Sequence, residues 1–253
     1  MTLVSTDAVV LHLQDYLESS RIVRLATRGH GVQAVVARGA RRPRSQFGQS
    51  LDLFASGVVR FSQRPGRDLS TLAGFDLTGS RMGLASNLDR FAAASALAEL
   101  VLRFTQADAY DDAFDVLTTS LDALVGAPAG TATDRGLAAA WRYIAALGFA
   151  PSMDRCCSCE SLVESDVPAP FSHASGGVVC PRCVTKVAVG RALPPDARGA
   201  IIGWLREEDV ALAGDVQRRA HLRLLREFVQ YHLAEGRELR AMDAWELRLR
   251  HLA

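Results

Sequence analysis

The chain has 253 residues and a formal charge of +1, from 29 basic against 28 acidic side chains. A balance this close excludes a polycationic tail or histone-like chain. The composition, 49% hydrophobic and 23% charged, is globular and not disordered, and the length allows one large domain or two to three small ones. The basic residues are 28 arginines and one lysine, Lys186, a bias that a GC-rich genome produces as readily as phosphate recognition does. No run of about 18 apolar residues is present, so no membrane span is expected. Met1 to Val10 lacks the basic start and apolar core of a signal peptide, so a cytoplasmic protein is expected.

The first 80 residues read as strands. Val4–Leu13 is β-rich with alternating apolar positions, Arg21–Thr27 alternates charged and apolar residues, and Val32–Ala37 follows the turn Gly29-His30-Gly31. Leu51–Phe61 is a longer fourth candidate and Leu69–Leu77 closes the set. Five strands with glycine-bearing turns predict a small barrel or sandwich, and five is the strand count of the OB-fold. Phe54, Phe61 and Phe75 lie within these strands and are assigned to the barrel core.

Composition changes near Gly79. Ser86 with Asp89 reads as a weak capping box before a helix over Phe91–Phe104. Asp111 and Asp112 open a second helix, with Phe114, Leu117, Leu121 and Leu124 on one face, and suit its dipole. Leu137, Trp141 and Ile144 mark a third, ended by Gly148. From about 153 to 188 helical periodicity is lost. Helices return after Pro194-Pro195 with Gly199–Leu205, then Val216–Leu233 with Gly236 as its cap, then Leu239–Leu252. The fold class is α+β: a barrel domain over 1–80 and a helical domain over 81–253, interrupted by an insert at 153–188.

The strongest chemical signal is Cys156-x-x-Cys159 followed by Cys180-x-x-Cys183. A two-residue spacer lets both sulfurs of a turn reach one ion at about 2.3 Å, so the double spacing points to a four-thiolate Zn2+ site. With every position filled by protein, such a site is structural, and zinc would add roughly 10 kcal/mol or more to folding of a loop-rich insert. A redox pair would need a βα context that is absent. Cys157 is the surplus thiol, and His173 is a further candidate ligand that the site does not require.

A second signal is Arg38-Gly-Ala-Arg41-Arg42-Pro-Arg44-Ser45. Forked guanidinium donors suit a phosphate backbone, and Ser45 and Phe47 would add a hydroxyl contact and a stacking surface. The alternative is a solvated basic hairpin with no partner. Arg21, Arg24 and Arg28 on the preceding strand are read as pointing one way, which would extend the patch or form a solvated face. Arg191, Arg198, Arg218, Arg219 and Arg223 are further candidates for a nucleic-acid path. Charge is segmental: residues 1–80 carry ten arginines and six acids, 81–150 five basic and eight acidic residues, and the remainder is neutral. The acidic helices are therefore read as a protein-facing surface. No phosphate loop, dinucleotide fingerprint, nucleophile elbow or H-E-x-x-H occurs, and no acid–base constellation supports a nuclease or hydrolase, so no enzyme is expected.

In this order the motifs resemble the RecO family of bacterial recombination mediators. The block Arg38–Ser45 is similar to its basic G-A-R/K-x-x-x-S signature, Leu51–Phe54 to its L-x-x-F, and Trp141–Pro151 to its helix ending in L-x-G-[YF]-x-P. Phe171-Ser172 and Gly176-Gly177 fall between the cysteine pairs in the family's order, and Arg218–His232 resembles its closing helix. The resemblance implies an N-terminal OB-fold, a helical domain with a zinc-finger-like insert, and ATP-independent binding and annealing of single- and double-stranded DNA. It also implies partnership with RecR and single-stranded-DNA-binding protein in loading RecA, within a nucleoid-associated, cytoplasmic setting. DNA contacts are expected at Arg38, Arg41, Arg42, Arg44, Ser45, Arg21 and Arg24, and metal ligation at Cys156, Cys159, Cys180 and Cys183. Arginines stand where the family's basic block commonly carries lysines, which favours bidentate phosphate contacts. Some members lack the four cysteines, which favours a structural role for zinc. The competing reading is a zinc-stabilised protein–protein adaptor with weak DNA affinity.

Overall fold

The structure, a computed structural model, describes residues 2–45, 47, 50–63, 69–105, 111–128, 130–234 and 236–250. Five strands come first: β1 (Thr2–Tyr16), β2 (Ser20–Thr27), β3 (Gly31–Ala37), β4 (Ser56–Gln63) and β5 (Leu69–Gly79). They close into a barrel of order β1-β2-β3-β5-β4, antiparallel at every seam but the parallel β3–β5 pair. This is the OB-fold arrangement expected from the strand count. β1 serves both β2 and β4, and a register shift between Val10 and His12 bends it from one partner to the other. Side chains of period two fill the interior: Val23 and Leu25, Val35 and Ala37, Val59 and Phe61, with Leu72 and Phe75. Burying a side chain the size of Phe61 stabilises by roughly 1.5–3 kcal/mol.

The fourth strand starts later than its sequence suggests. Over Leu51–Ala55 the chain turns, with Ala55 N donating to Asp52 O and Phe54 at a left-handed φ of 66°. Phe54 N and Ala55 O still bond to Val10, so the segment is held against β1 without forming a ladder. Leu51, Ala55 and Phe47 join the barrel core, whereas Phe54 meets Phe91 edge-on at 6.1 Å. Phe61 and Phe75 are core residues as expected, and Phe54 is not part of that cluster.

The chain forms two compact units, 1–91 with 98–125 and 92–97 with 126–253. α1 (Leu88–Phe104), whose residues 92–97 belong to the second unit, and α2 (Asp111–Val125) follow the barrel. Asn87, not Ser86, caps α1: its side-chain oxygen accepts from Asp89 N and Arg90 N, each at 3.0 Å, while Ser86 Oγ donates to Gly83 O. The α2 face of Phe114, Leu117, Leu121 and Leu124 is buried as its spacing predicts.

The second unit holds α3 (Ala132–Ala146), the short strands β6 (Ala169–Ser172), β7 (Gly177–Val178) and β8 (Ala192–Leu193), then α4 (Pro195–Leu205), α5 (Asp215–His232) and α6 (Arg240–Arg250). Leu137, Trp141 and Ile144 are fully buried, and Trp141 meets Phe228 of α5 edge-on at 5.2 Å. A Cβ on Gly136 would lie 2.6 Å from Ala93 Cβ and 2.9 Å from the Trp245 ring, so only glycine lets these segments approach. Gly148, at φ 90°, follows α3 as its expected stop. α5 ends earlier than Gly236 implies: Leu233 N and Ala234 N both donate to Val229 O and finish the helix. Residues 251 and 252 of the last predicted helix lie outside the described residues. Asp134, almost fully buried, accepts from Arg218 at 2.8 and 3.1 Å and from Leu212 N at 3.3 Å, tying α3 to α5 and the loop before it.

Candidate metal centre and nucleic-acid interface

The four cysteines come together. Cys156 N donates to Ser161 O and Glu160 N to Cys156 O, which folds 156–161 into a tight turn. Glu160 takes a left-handed φ of 60° to close it. Cys183 N and Val184 N both donate to Cys180 O and form the second turn. The Sγ atoms of Cys156, Cys159, Cys180 and Cys183 all lie within 4.8 Å of one another, and Cys159 and Cys180 are 3.7 Å apart. Four sulfurs placed tetrahedrally about 2.3 Å from an ion would be about 3.8 Å apart, so this donor set fits one divalent metal with no position left open. Val179 packs among the thiols, and Val163 and Val187 flank them, which shields the site on its inner side.

Burial alone would push the Cys180 thiol up, but hydrogen bonds from Ser161, Cys156 and Cys159 bring it down to about 6. Cys183, despite a bond from Ser158, is pushed up to about 11 by its bonds to the other thiols and by burial, so the cluster concentrates its negative charge on part of the donor set. A thiolate is the form a metal binds. For the surplus Cys157, burial, reinforced by the charge of Cys156, pushes the thiol up, and its Sγ faces Gly177 O at 3.7 Å. His173 is not a ligand; its Nε2 lies 3.3 Å from Glu227 of α5.

The basic block follows β3 as a run of turns. Arg42 N donates to Gly39 O and Ser45 N to Arg42 O, while Arg41 N donates to Ser19 O and pins the loop to the β1–β2 hairpin. Arg38, Arg41, Arg42 and Arg44 are exposed and Ser45 is half-buried. Arg41 Nε lies 3.5 Å from Asp15, which also accepts from Arg21 at 3.2 Å. Among the described residues, Arg38, Arg42 and Arg44 have no ion pair and no side-chain hydrogen bond. Phe47 offers no stacking surface: it is 4% exposed in the barrel core, and its N–H is bonded to Ser45 Oγ.

Arg21, Arg24 and Arg28 do not share a face. A spacing of three puts Arg21 opposite Arg24 on a strand of period two, and Arg28 lies just past the end of β2. Arg24 donates to Leu102 O of α1 at 3.2 Å. Arg28 grips Asp115 of α2 with both Nη atoms and lies over the Phe114 ring at 4.8 Å. That hydrogen bonding holds the Asp115 carboxyl below its ordinary range. Arg81, 7% exposed, donates to Asp122 at 2.7 Å and to Phe54 O at 2.9 Å. Asp115 and Asp122 of the acidic helix therefore answer arginines of their own unit and are not a free protein-facing surface.

Of the later arginines, Arg191 is exposed with no side-chain partner among the described residues, Arg223 lies 4.0 Å from Glu246, and three are engaged more closely. Arg218 pairs with Asp134 and Asp215, Arg219 donates to Leu249 O, and Arg198 is 2% exposed with its donors turned inward. Arg198 and Arg218 are structural residues and not part of a surface path. Sequence reasoning missed these internal partners; only the Arg28–Asp115 pair had a signal, in the opposite charges of the first two segments.

Comparison with known proteins gives a family. The model described as "Recombination protein O N terminal" matches residues 1–81, and "Recombination protein O C terminal" matches 85–241. The chain is 31% identical to a protein of Desulfatibacillum aliphaticivorans over 98% of each chain. It is 32% identical to one of an Anaeromyxobacter species over 92% of this chain and 91% of that one. It is 37% identical to one of Syntrophotalea carbinolica over 73% and 71%. Each of these relatives is named DNA repair protein RecO.

Proposed function

Because the chain belongs to the RecO family of DNA repair proteins, we propose that it is a recombination mediator that binds single- and double-stranded DNA and anneals complementary strands without ATP. With RecR it helps load RecA onto DNA coated by single-stranded-DNA-binding protein, in the cytoplasm. The observation that carries this reading is the loop of Arg38, Arg42 and Arg44, exposed and without an ion pair among the described residues, on an OB-fold barrel whose other described arginines largely answer carboxylates or carbonyls of the chain itself. Annealing brings two polyanions together, and uncommitted guanidinium groups lower their repulsion by displacing counterions. Arg41 and Arg21 share Asp15 at the edge of this loop and add a weaker contribution, and Ser45 can still donate its hydroxyl proton. Arg24 is left out, since it is committed to Leu102 O.

No covalent step is required, and the protein acts as a binding scaffold rather than an enzyme. Zn2+ is the ion proposed for the four cysteines, and when bound it cross-links the two turns of the insert. Among the described residues no helix is long and apolar enough to cross a membrane. The test is annealing of complementary oligonucleotides without ATP, with and without the single-strand-binding protein. Acceleration in at least one condition is expected; none in either would refute the mediator reading and leave the adaptor.

A further inference from the structure

The first cysteine turn sits at the tip of a loop that leaves Met153 and returns at Val163. Its own hydrogen bonds close it: Val163 N donates to Asp154 O at 3.0 Å, and Arg155 bridges to Leu162. The loop also leans on β7, where Cys157 N donates to Val178 O at 2.9 Å, Val178 N to Ser152 O at 2.8 Å and Ser152 N to Gly176 O at 3.0 Å. The second turn has a further support, since Val179 N donates to Pro170 O beside the β6–β7 pair. Among the described side chains it is Arg198, on the first turn of α4, that bonds to both arms of the neck of the first loop. Its Nε donates to Met153 O at 3.2 Å, and Nη2 to Met153 O at 3.0 Å and Val163 O at 3.3 Å. Nη1 donates to Glu164 O at 2.7 Å and Val167 O at 3.1 Å. A guanidinium has five N–H donors, and these are five hydrogen bonds, all to backbone carbonyls on both sides of Cys156 and Cys159.

A buried cation without a bonded carboxylate is a costly way to fill space, and an apolar side chain would pack there at less expense. Burial pulls the guanidinium pKa down, and only the charge of Asp154 opposes it. What a guanidinium does, and an apolar group cannot, is fix several carbonyls relative to one another in a rigid plane.

We propose that Arg198 is the positioning residue of the four-thiolate centre: by holding the neck of the first loop it sets Cys156 and Cys159 opposite Cys180 and Cys183, and so determines how tightly the centre holds its ion. The inference rests on the reading that the four cysteines bind metal. It also makes α4 the link between that centre and the helices of its unit.

The test uses full-length protein with Arg198→Lys, which keeps the charge but has three donors and no fork, and Arg198→Met, which keeps apolar bulk. Zn2+ affinity is measured by competition with a chromophoric chelator. Co2+ spectra report the thiolate geometry, and melting is followed with and without metal. Wild type should bind one ion per chain. Both variants should bind Zn2+ about 10- to 100-fold more weakly. They should also show an altered Co2+ thiolate spectrum and a smaller rise in Tm on metal addition. Should Arg198→Met fail to fold, Arg198→Lys alone decides. Equal drops in Tm with and without metal, at unchanged Zn2+ affinity and Co2+ spectrum, would make Arg198 a general stabiliser and overturn the proposal. Failure of wild type to take up Zn2+ would instead overturn the metal reading beneath it.

Discussion

Arg38, Arg42 and Arg44 are exposed and have no ion pair among the described residues, whereas Arg28 is held by Asp115, and this division fixes what a salt titration must show. Replacing the three together with alanine removes three cations that displace counterions, so the slope of log K against log salt on single strands should flatten by about 2, at about 0.7 per phosphate. Between about 50 and about 200 mM salt that difference amounts to roughly 20-fold: wild type loses that much more affinity than the variant. The assay is fluorescence anisotropy with random-sequence oligonucleotides over that range. Arg28→Ala serves as the control. It removes one charge, from a committed position, and should keep close to the wild-type slope, where loss of one phosphate contact would flatten it by about 0.7. A triple variant with the full wild-type slope would remove the loop from the DNA surface.

Two further outcomes concern the helical unit. Asp134→Ala leaves Arg218 half-buried with only the exposed Asp215, and should cost about 3–5 kcal/mol in urea unfolding, against less for Asp134→Asn, which can still accept a hydrogen bond. A loss below about 1 kcal/mol would show that the pair is dispensable. His221 is buried against Trp204 with Nδ1 unpartnered, and burial lowers its pKa to about 4. The unfolded chain, protonating near 6.5, binds the proton first, so His221 should make stability fall as pH drops from about 6.5 to about 4, by at most ~3 kcal/mol. His221→Leu should flatten that window in pH-dependent melting; an unchanged profile would refute the assignment.

What the sequence made legible follows from how local each signal is. Strand period in Val23, Leu25, Val35 and Ala37 marks the barrel because alternate side chains must enter one core. The cysteine spacing is equally local, since each pair closes its own turn. Phe54 misled because its composition is that of a strand while its left-handed backbone turns the ring towards Phe91. Phe47 misled in the opposite sense, reading as a loop residue while it closes the barrel core. Arg24, Arg28 and Arg198 could not be sorted from Arg38 and Arg42 by sequence, because the distinction lies in partners far along the chain, such as Asp115 at a separation of 87 residues. The opposite charges of residues 1–80 and 81–150 recorded that pairing only as a sum.

The strand order of the barrel also governs when it can form. β1, β2 and β3 are joined by short turns and can pair as soon as they leave the ribosome. The closing seams cannot, since Val4 must meet Phe61, and Val36 must meet Thr71 of the last strand. Non-local seams of this kind slow folding, because loop-closure entropy is lost before the contacts that reward it appear. Until β4 emerges the nascent meander presents unpaired edges on β1 and β3, and until Gly79 has emerged an edge on β3 stays open, the state in which strand-rich chains associate with one another. Synthesis of this protein thus passes through an interval in which its barrel is most exposed to aggregation, and that interval ends only when β4 and β5 close the ring.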